Sequence, residues 1–304
     1  MSPQSASPNT LRRIALLSAL LVLLIAGVSA FLRLAKAGLG CEPWPACYGE
    51  ALRALQRGAV VDDSAVRAVA LARLAHRLLA STALVLVLLL AFGHLSAKPF
   101  RRAEAQLSVA LVATALFLAG LGWLTARSHL PAVALGNLLG GFAMLALSWR
   151  LAAPPRQGDA ARRGTRGWVV MALVCSVIQV ALGGLVSASY ASLSCGDTLD
   201  CIRLAASQGW SWSTLNPWRE PVFDIVTTAA PINPAGALAQ VAHRAGALVT
   251  GLAVLLAAWQ LSRQQQRGAA ALLVALLMLQ AAVGWWLVSG GVPLAAALLH
   301  NLLA

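Results

Sequence analysis

Long runs of apolar residues constrain the fold of this chain more than any other feature of its sequence. A helix needs about 20 mostly apolar residues to cross the core of a bilayer. Seven runs reach that length, and an eighth, from Pro293 onwards, has 12 residues and is too short to cross alone. The predicted spans are 14–34, 69–93, 106–125, 131–152, 168–189, 237–260, 269–289 and the run that starts near Pro293.

The composition favours an integral membrane protein. Hydrophobic residues make up 59% of the 304 residues and charged residues 11%, whereas soluble domains average about 45–50% and about 25%. These proportions exclude a water-soluble globule, a disordered chain and a disulfide-stabilised mini-protein. Arg12 and Arg13 precede the first run as they would a signal peptide, but no convincing cleavage site follows, so we interpret this run as a mature helix. The predicted fold class is all-α and membrane-integral.

The net charge of +13 is distributed unevenly over the connections between spans. The N-terminus and every second connection between spans together contain 12 basic and 2 acidic residues, a net charge of +10. The rest of the chain has a net charge of +3. Positively charged loops stay cytoplasmic. We therefore predict a bacterial inner-membrane protein with the long loops 35–68 and 190–236 outside, and with both termini inside if the eighth run completes a crossing. Membrane lipids, and no nucleic acid, are the partners that this charge predicts.

The two halves of the chain share four local patterns. Each half has a His-Arg pair at the start of a span, a Gly-Trp pair at the end of the next, two cysteines separated by five residues in its long loop, and a proline that opens its last span. The sequence therefore predicts two pseudo-symmetric four-helix bundles, 1–155 and 156–304, in the same orientation across the membrane. The matching residues are His76 and His243, Gly122 and Gly284, Cys41/Cys47 and Cys195/Cys201, and Pro131 and Pro293.

Three of the five histidines are predicted to share one depth in the membrane. His76, His243 and His300 lie about 9–14 Å inside the outer ends of their helices, at 1.5 Å per residue. One imidazole from each of two facing helices can hold a haem iron. A ring bonded to a neighbouring backbone carbonyl is the alternative. His94 is expected at the membrane interface and His129 in a solvated outer loop.

His243 and His300 form the natural ligand pair of the second bundle. The first bundle offers His76, but the matching position on its fourth span is Asn137, or Gly136 in the other register, and neither residue supplies an iron ligand.

An arginine follows His76 and another follows His243. Arg77 and Arg244 could neutralise haem propionates or reach lipid phosphates at the membrane surface.

Four of the five cysteines lie in loops predicted to be on the oxidising side, where disulfides form. We expect the pairs Cys41–Cys47 and Cys195–Cys201. Metal binding is the weaker alternative, because no histidine is near either pair. Cys175 lies within a span and is expected to pack in the core.

In these features the sequence resembles the haem A synthase family. The resemblance covers nearly the whole chain, and its motifs occur in the family's order. The motifs are the stretch from Arg33 through Cys41 to Trp44-Pro45 and Cys47-Tyr48-Gly49, the two His-Arg pairs, Leu138-Leu139-Gly140-Gly141, Gly183-Gly184-Leu185-Val186-Ser187 to Tyr190, and Ala297-Leu298-Leu299-His300.

The resemblance implies both a fold and a reaction. It implies eight helices in two four-helix bundles, a haem b between His243 and His300, disulfides in the loops, and haem O bound in the first bundle with His76 as one ligand. The family oxidises a methyl group of haem O to the formyl group of haem A by successive hydroxylations, and haem A then passes to cytochrome oxidase. Haem O synthase and cytochrome oxidase assembly factors are the protein partners that this implies.

The chain departs from the family pattern twice, both times in the first bundle. The family has a glutamate three residues before its first histidine, where this chain has Arg73, and a histidine on the fourth helix, where it has Asn137. An acid at that spacing shares a helix face with His76 and could move protons, whereas arginine cannot accept one.

Two hypotheses follow from these departures. One is an active haem A synthase with a modified first site. The other is a non-catalytic member of the family that binds one b-type haem and serves in electron transfer or haem handling. A transporter fits poorly, because no span has a broken-helix pattern.

Overall fold

The computed structural model describes residues 7–37, 63–125, 128, 130–154, 163–221 and 233–304. Within these ranges the regular structure is helical, without strands. Two short 3₁₀ turns, Trp212–Leu215 and Pro234–Gly236, accompany the α-helices. The α-helices are α1 (Pro8–Ala37), α2 (Asp63–Leu95), α3 (Arg102–Thr125), α4 (Pro131–Ala152), α5 (Arg163–Ala188), α6 (Thr198–Ser207), α7 (Ala237–Arg263), α8 (Arg267–Ser289) and α9 (Leu294–Leu303).

Seven of these helices, α1 to α5, α7 and α8, are long and apolar enough to cross a membrane. This confirms the seven long spans predicted from the sequence, and the protein is a multi-pass membrane protein. Only 6–28% of each apolar window is buried inside the structure, which leaves most of each helix surface for hydrocarbon. The last helix, α9, has 10 residues and is shorter than a span.

Helix α6 was not predicted, because it lies inside the second long loop and is not a continuous apolar run. Asp197 caps its N-terminus: its side chain accepts a hydrogen bond from the backbone N–H of Asp200 at 2.8 Å. Such a cap satisfies one of the unpaired donors in the first helical turn. The buried face of α6 consists of Cys201 and Ala205, which fix the helix against the protein.

The chain divides into two compact units. The first contains most of α1, α2 from Arg67 onwards, α3, and α4 from Gly136 onwards. Its core is a cluster of aliphatic side chains from all four helices, among them Val22, Val87, Leu111 and Met144.

His94 belongs to the interior of this first unit. The ring is 8% exposed, and its Nδ1 lies 2.8 Å from the Ser108 hydroxyl and 3.0 Å from the Leu90 carbonyl. The residue that the sequence placed at the membrane interface is therefore a hydrogen-bonded link between α2 and α3.

The second unit contains α5 to α9 together with the last residues of α1 and the first of α4. Small residues, Ala172 on α5 and Ala253 and Ala257 on α7, form a buried cluster between these two helices. Close approach through small side chains is typical of membrane helices. The start of α7 is fixed by Gln240, whose side-chain amide donates to the carbonyls of Ala191 and Ser192, both at 3.0 Å.

A tight turn joins α8 to α9. Gly291 and Val292 have φ values of +68° and +63°, in the left-handed region that β-branched residues rarely adopt. The Val292 N–H donates to the Leu287 carbonyl at 2.8 Å, and Pro293 precedes the first residue of α9. This turn sets the direction in which α9 returns along α8.

Candidate functional site

Two of the predicted histidines face each other inside the second unit. The ring centres of His243 on α7 and His300 on α9 are 6.5 Å apart, and the ring planes are inclined by 86°. Each histidine lies six residues after the first residue of its helix. The two imidazoles that the sequence singled out on separate helices therefore meet at one place.

Each of these imidazoles packs against a glycine of the preceding long helix. A Cβ atom at Gly183 of α5 would lie 2.8 Å from Cε1 of His243, and one at Gly284 of α8 would lie 3.2 Å from Cε1 of His300. Contacts below 3.0 Å essentially do not occur between real Cβ atoms and their neighbours. The glycines thus provide the space in which the two rings lie.

A glutamine also accompanies each histidine. The Gln179 side-chain amide donates to the backbone carbonyl of His243 at 3.0 Å, and it lies 3.0 Å from Nδ1 of the same ring. The Gln280 amide donates to the backbone carbonyl of His300 at 3.1 Å. Sequence reasoning missed both glutamines because it examined only ionisable residues in the spans. A polar amide in the middle of an apolar run was the available signal.

The spacing of the two rings fits a single metal atom between them. A histidine nitrogen binds metals such as zinc at about 2.0–2.1 Å. Two such bonds, added to the distance from nitrogen to ring centre in each imidazole, give a length close to the observed 6.5 Å between ring centres. Nδ1 of His300 is buried without a hydrogen-bond partner among the described residues. The donor chemistry of this pair, two imidazoles on separate helices of an apolar bundle, therefore suits a haem iron.

Arg244, next to His243, is bonded to the loop that carries the disulfide. Its guanidinium donates to the Gly196 carbonyl at 2.9 Å and to the Thr198 hydroxyl at 3.3 Å. Cys195 and Cys201 are joined in a disulfide that closes this loop. Arginine has five N–H donors, so these two contacts leave capacity for an anionic group such as a propionate. Helix α7 and the loop are thus connected at the residue beside a candidate ligand.

The first unit has a different arrangement around its histidine. Nε2 of His76 lies 2.8 Å from the hydroxyl of Ser29 on α1. Asn137 is half-buried on α4, and the side chains of Arg73 and Arg77 on α2 are exposed. The structure therefore pairs His76 with a serine that sequence reasoning did not single out.

Other predicted residues lie outside or apart from these sites. His129, Cys41 and Cys47 are not among the described residues. Cys175 is a half-buried free cysteine that packs against the small-residue cluster of α5 and α7. Among the described residues, no group of three or more histidine, cysteine, aspartate or glutamate side chains could hold a metal ion.

The fold and this site define the class of the protein: a multi-pass helical membrane protein with two facing imidazoles in its second unit. The sequence profile described as COX15-CtaA, cytochrome oxidase assembly protein, matches residues 12–304. A protein of Shewanella oneidensis named heme A synthase is 31% identical over 272 residues, which cover 83% of this chain and 78% of that protein. The chain belongs to the COX15-CtaA family of cytochrome oxidase assembly proteins.

Proposed function

We propose that this protein acts in haem A biosynthesis as a membrane oxidoreductase of the haem A synthase type. The substrate is haem O, whose methyl group is oxidised to the formyl group of haem A for cytochrome oxidase. The observation that carries the proposal is the facing pair His243 and His300 in a chain whose family match extends over residues 12–304. The relative named heme A synthase supports the same reaction.

In this proposal the second bundle binds a haem b as a resident cofactor. His243 and His300 would supply the two nitrogen ligands, and Arg244, which is bonded to the disulfide loop, would neutralise a propionate. The haem supplies electron transfer when it is bound. The chain orients it, and the helices and their apolar side chains keep water away from it.

The first bundle binds the substrate haem. His76 is its ligand, and the Ser29 hydroxyl, which now contacts Nε2 of His76, gives up that nitrogen when the ring binds iron. Arg77 is the candidate for a substrate propionate.

The proposal extends to the membrane arrangement. Helix α9 is the eighth helix of the membrane domain, the two bundles are pseudo-symmetric, and the basic loops face the cytoplasm of a bacterial inner membrane. Membrane lipids surround the helices. Haem O synthase and oxidase assembly factors are the protein partners.

A second candidate function is favoured by two residues of the first bundle. Arg73 and Asn137 stand where the family has a glutamate and a histidine, so a proton acceptor and an iron ligand are replaced. A non-catalytic protein that binds one b-type haem for electron transfer or haem handling accounts for an intact pair in the second bundle and an altered set in the first.

Co-expression with a haem O synthase, followed by analysis of the extracted haems, separates the two functions. A synthase yields haem A only when this protein is present, and the yield is lost in His76→Ala as well as in His243→Ala and His300→Ala. The second function yields one haem b per chain and no haem A, and that haem is lost in His243→Ala or His300→Ala but kept in His76→Ala.

A further inference from the structure

The second unit contains the same short pattern twice, once beside each facing histidine. Gln179 and Gly183 lie four residues apart on α5, and Gln280 and Gly284 lie four residues apart on α8. Residues at this spacing share one face of a helix. In both cases the glycine lies against the imidazole ring and the glutamine donates to the backbone carbonyl of the same histidine. Each histidine therefore packs against a Gln-x-x-x-Gly face.

Both glutamines carry a buried atom that the described hydrogen bonds do not use. Oε1 of Gln179, Oε1 of Gln280 and Nδ1 of His300 are buried without a hydrogen-bond partner in the described part of the chain. Buried polar atoms are normally paired. Here a possible donor, Nδ1 of His300, and a possible acceptor, Oε1 of Gln280, belong to two residues that are already in contact.

The proton position on each ring decides whether Nε2 can bind a metal. A neutral imidazole has one N–H and one nitrogen with a free lone pair. When the Gln179 amide nitrogen donates to Nδ1 of His243, the ring proton lies on Nε2 and blocks that nitrogen. A half-turn of the amide presents Oε1 to Nδ1 instead, which places the ring proton on Nδ1 and frees Nε2. The amide nitrogen then gives up its bond to the His243 carbonyl. Gly246 leaves the room for this amide, since a Cβ there would lie 2.5 Å from Oε1.

We infer that Gln179 and Gln280 are positioning residues that accept the Nδ1–H of His243 and His300 when Nε2 of each ring binds iron. The inference rests on the proposed function. Metal-binding histidines almost always donate their second N–H to a carboxylate, a backbone carbonyl or water, which fixes the ring and raises its basicity. A neutral amide does this inside the membrane without burying a charge. The hydrogen bonds of the ligands are one of the factors that set the haem potential.

Glutamine-to-methionine variants remove the amide and keep the side-chain volume. In Gln179→Met and Gln280→Met we expect haem affinity to fall about 10–100-fold. We also expect a higher midpoint potential, because a less basic ligand stabilises ferric iron less. A tenfold change in the relative affinity for ferric and ferrous haem corresponds to about 59 mV for one electron. The measurement is a spectroelectrochemical titration of the purified haem-loaded protein, together with its haem content.

Three further variants separate a hydrogen bond to the ring from simple packing. Glutamate keeps an acceptor, so Gln179→Glu and Gln280→Glu should have potentials at or below that of the wild type. Gln240→Met is the matched control: it also removes an amide from the ligand helix α7, three residues before His243, but that amide binds the loop carbonyls of Ala191 and Ser192. Its potential should equal that of the wild type.

The inference is overturned if the methionine and glutamate variants shift the midpoint potential in the same direction. It is also overturned if the methionine variants shift the potential by no more than Gln240→Met does. Neither result contradicts the haem site itself. A wild-type protein that binds no haem through both histidines overturns the proposed function, and this inference with it.

Discussion

Gly183 and Gly284 leave the space in which the two imidazoles lie, and they do so to different degrees. The Cβ of an alanine would come closer to His243 at Gly183 than to His300 at Gly284, 2.8 Å against 3.2 Å. Overpacking of a filled interior costs about 1–3 kcal/mol. The two distances therefore predict that an alanine at Gly183 disturbs haem binding more than an alanine at Gly284.

Gly183→Ala should weaken haem retention by about tenfold or more, since 1.4 kcal/mol is a factor of ten, and Gly284→Ala should weaken it less. Haem content after purification and dilution measures the effect. Gly251→Ala on α7, where the nearest atom to a new Cβ is 3.9 Å away, is the control and should retain haem as the wild type does. Equal retention in Gly183→Ala and Gly251→Ala would contradict the packing of His243 on Gly183.

Substitution of two residues of the first unit is predicted to increase the yield of haem A. If Arg73 and Asn137 are the altered parts of a substrate site, the double change Arg73→Glu with Asn137→His should raise the yield of haem A, because it restores a proton acceptor and a second nitrogen ligand. The yield is measured by extraction after co-expression with haem O synthase. Arg67→Glu, an equal charge reversal on the same helix, is the control. Absence of any gain would count against the register that aligns Asn137 with the family's histidine.

At the scale of elements, the turn between α8 and α9 determines where His300 lies. Gly291 has a φ of +68°, and a Cβ there would meet nothing within 4 Å. Its role is therefore conformational, since a left-handed residue other than glycine costs about 1–2 kcal/mol.

Gly291→Ala should reduce haem retention about 5- to 30-fold, the factor that one or two kcal/mol represents. Gly291→Asn should lie between alanine and the wild type, because asparagine tolerates this conformation. Gly268→Ala, at the start of α8 and also with open space around its Cβ, serves as control. The idea fails if Gly291→Ala and Gly268→Ala retain haem equally.

The elements also mark how far the sequence could predict this structure. Apolar runs predicted all seven long spans, because hydrocarbon solubility is a property of local composition. They did not predict that α2 begins at Asp63, because a polar first turn can be helical outside the apolar run. Helix α6 was missed since its stability comes from a cap and from tertiary packing.

The candidate site was predictable in part for a similar reason. His243 and His300 could be singled out because an imidazole in an apolar run is exceptional. That their rings are 6.5 Å apart depends on packing between helices, which no local pattern records. Ser29 beside His76 is a common residue in membrane helices, so its contact could be found only in three dimensions.

For the whole molecule, the distribution of charge predicts one orientation in the membrane. Positively charged segments follow α2, α4 and α7, and such segments stay in the cytoplasm. Alkaline phosphatase, which folds only in an oxidising compartment, should be active when fused after Gly209 and inactive when fused after Pro154 or Gln265. Equal expression of the three fusions is checked with an antibody to the reporter. Activity after Gln265 and none after Gly209 would show the reverse orientation.

The right angle between the two facing rings has a magnetic consequence for the assembled protein. The π electrons of an imidazole interact with the iron d orbital that is perpendicular to its ring plane. Two ligand rings that kept the 86° inclination, with both ring planes along the iron–nitrogen bonds, would share this interaction between two d orbitals and leave them nearly equal in energy, whereas parallel rings would separate them. A ferric haem bound to His243 and His300 in this orientation should therefore give a strongly anisotropic low-spin EPR spectrum with one dominant, large g value, and not a rhombic spectrum with three well-resolved lines.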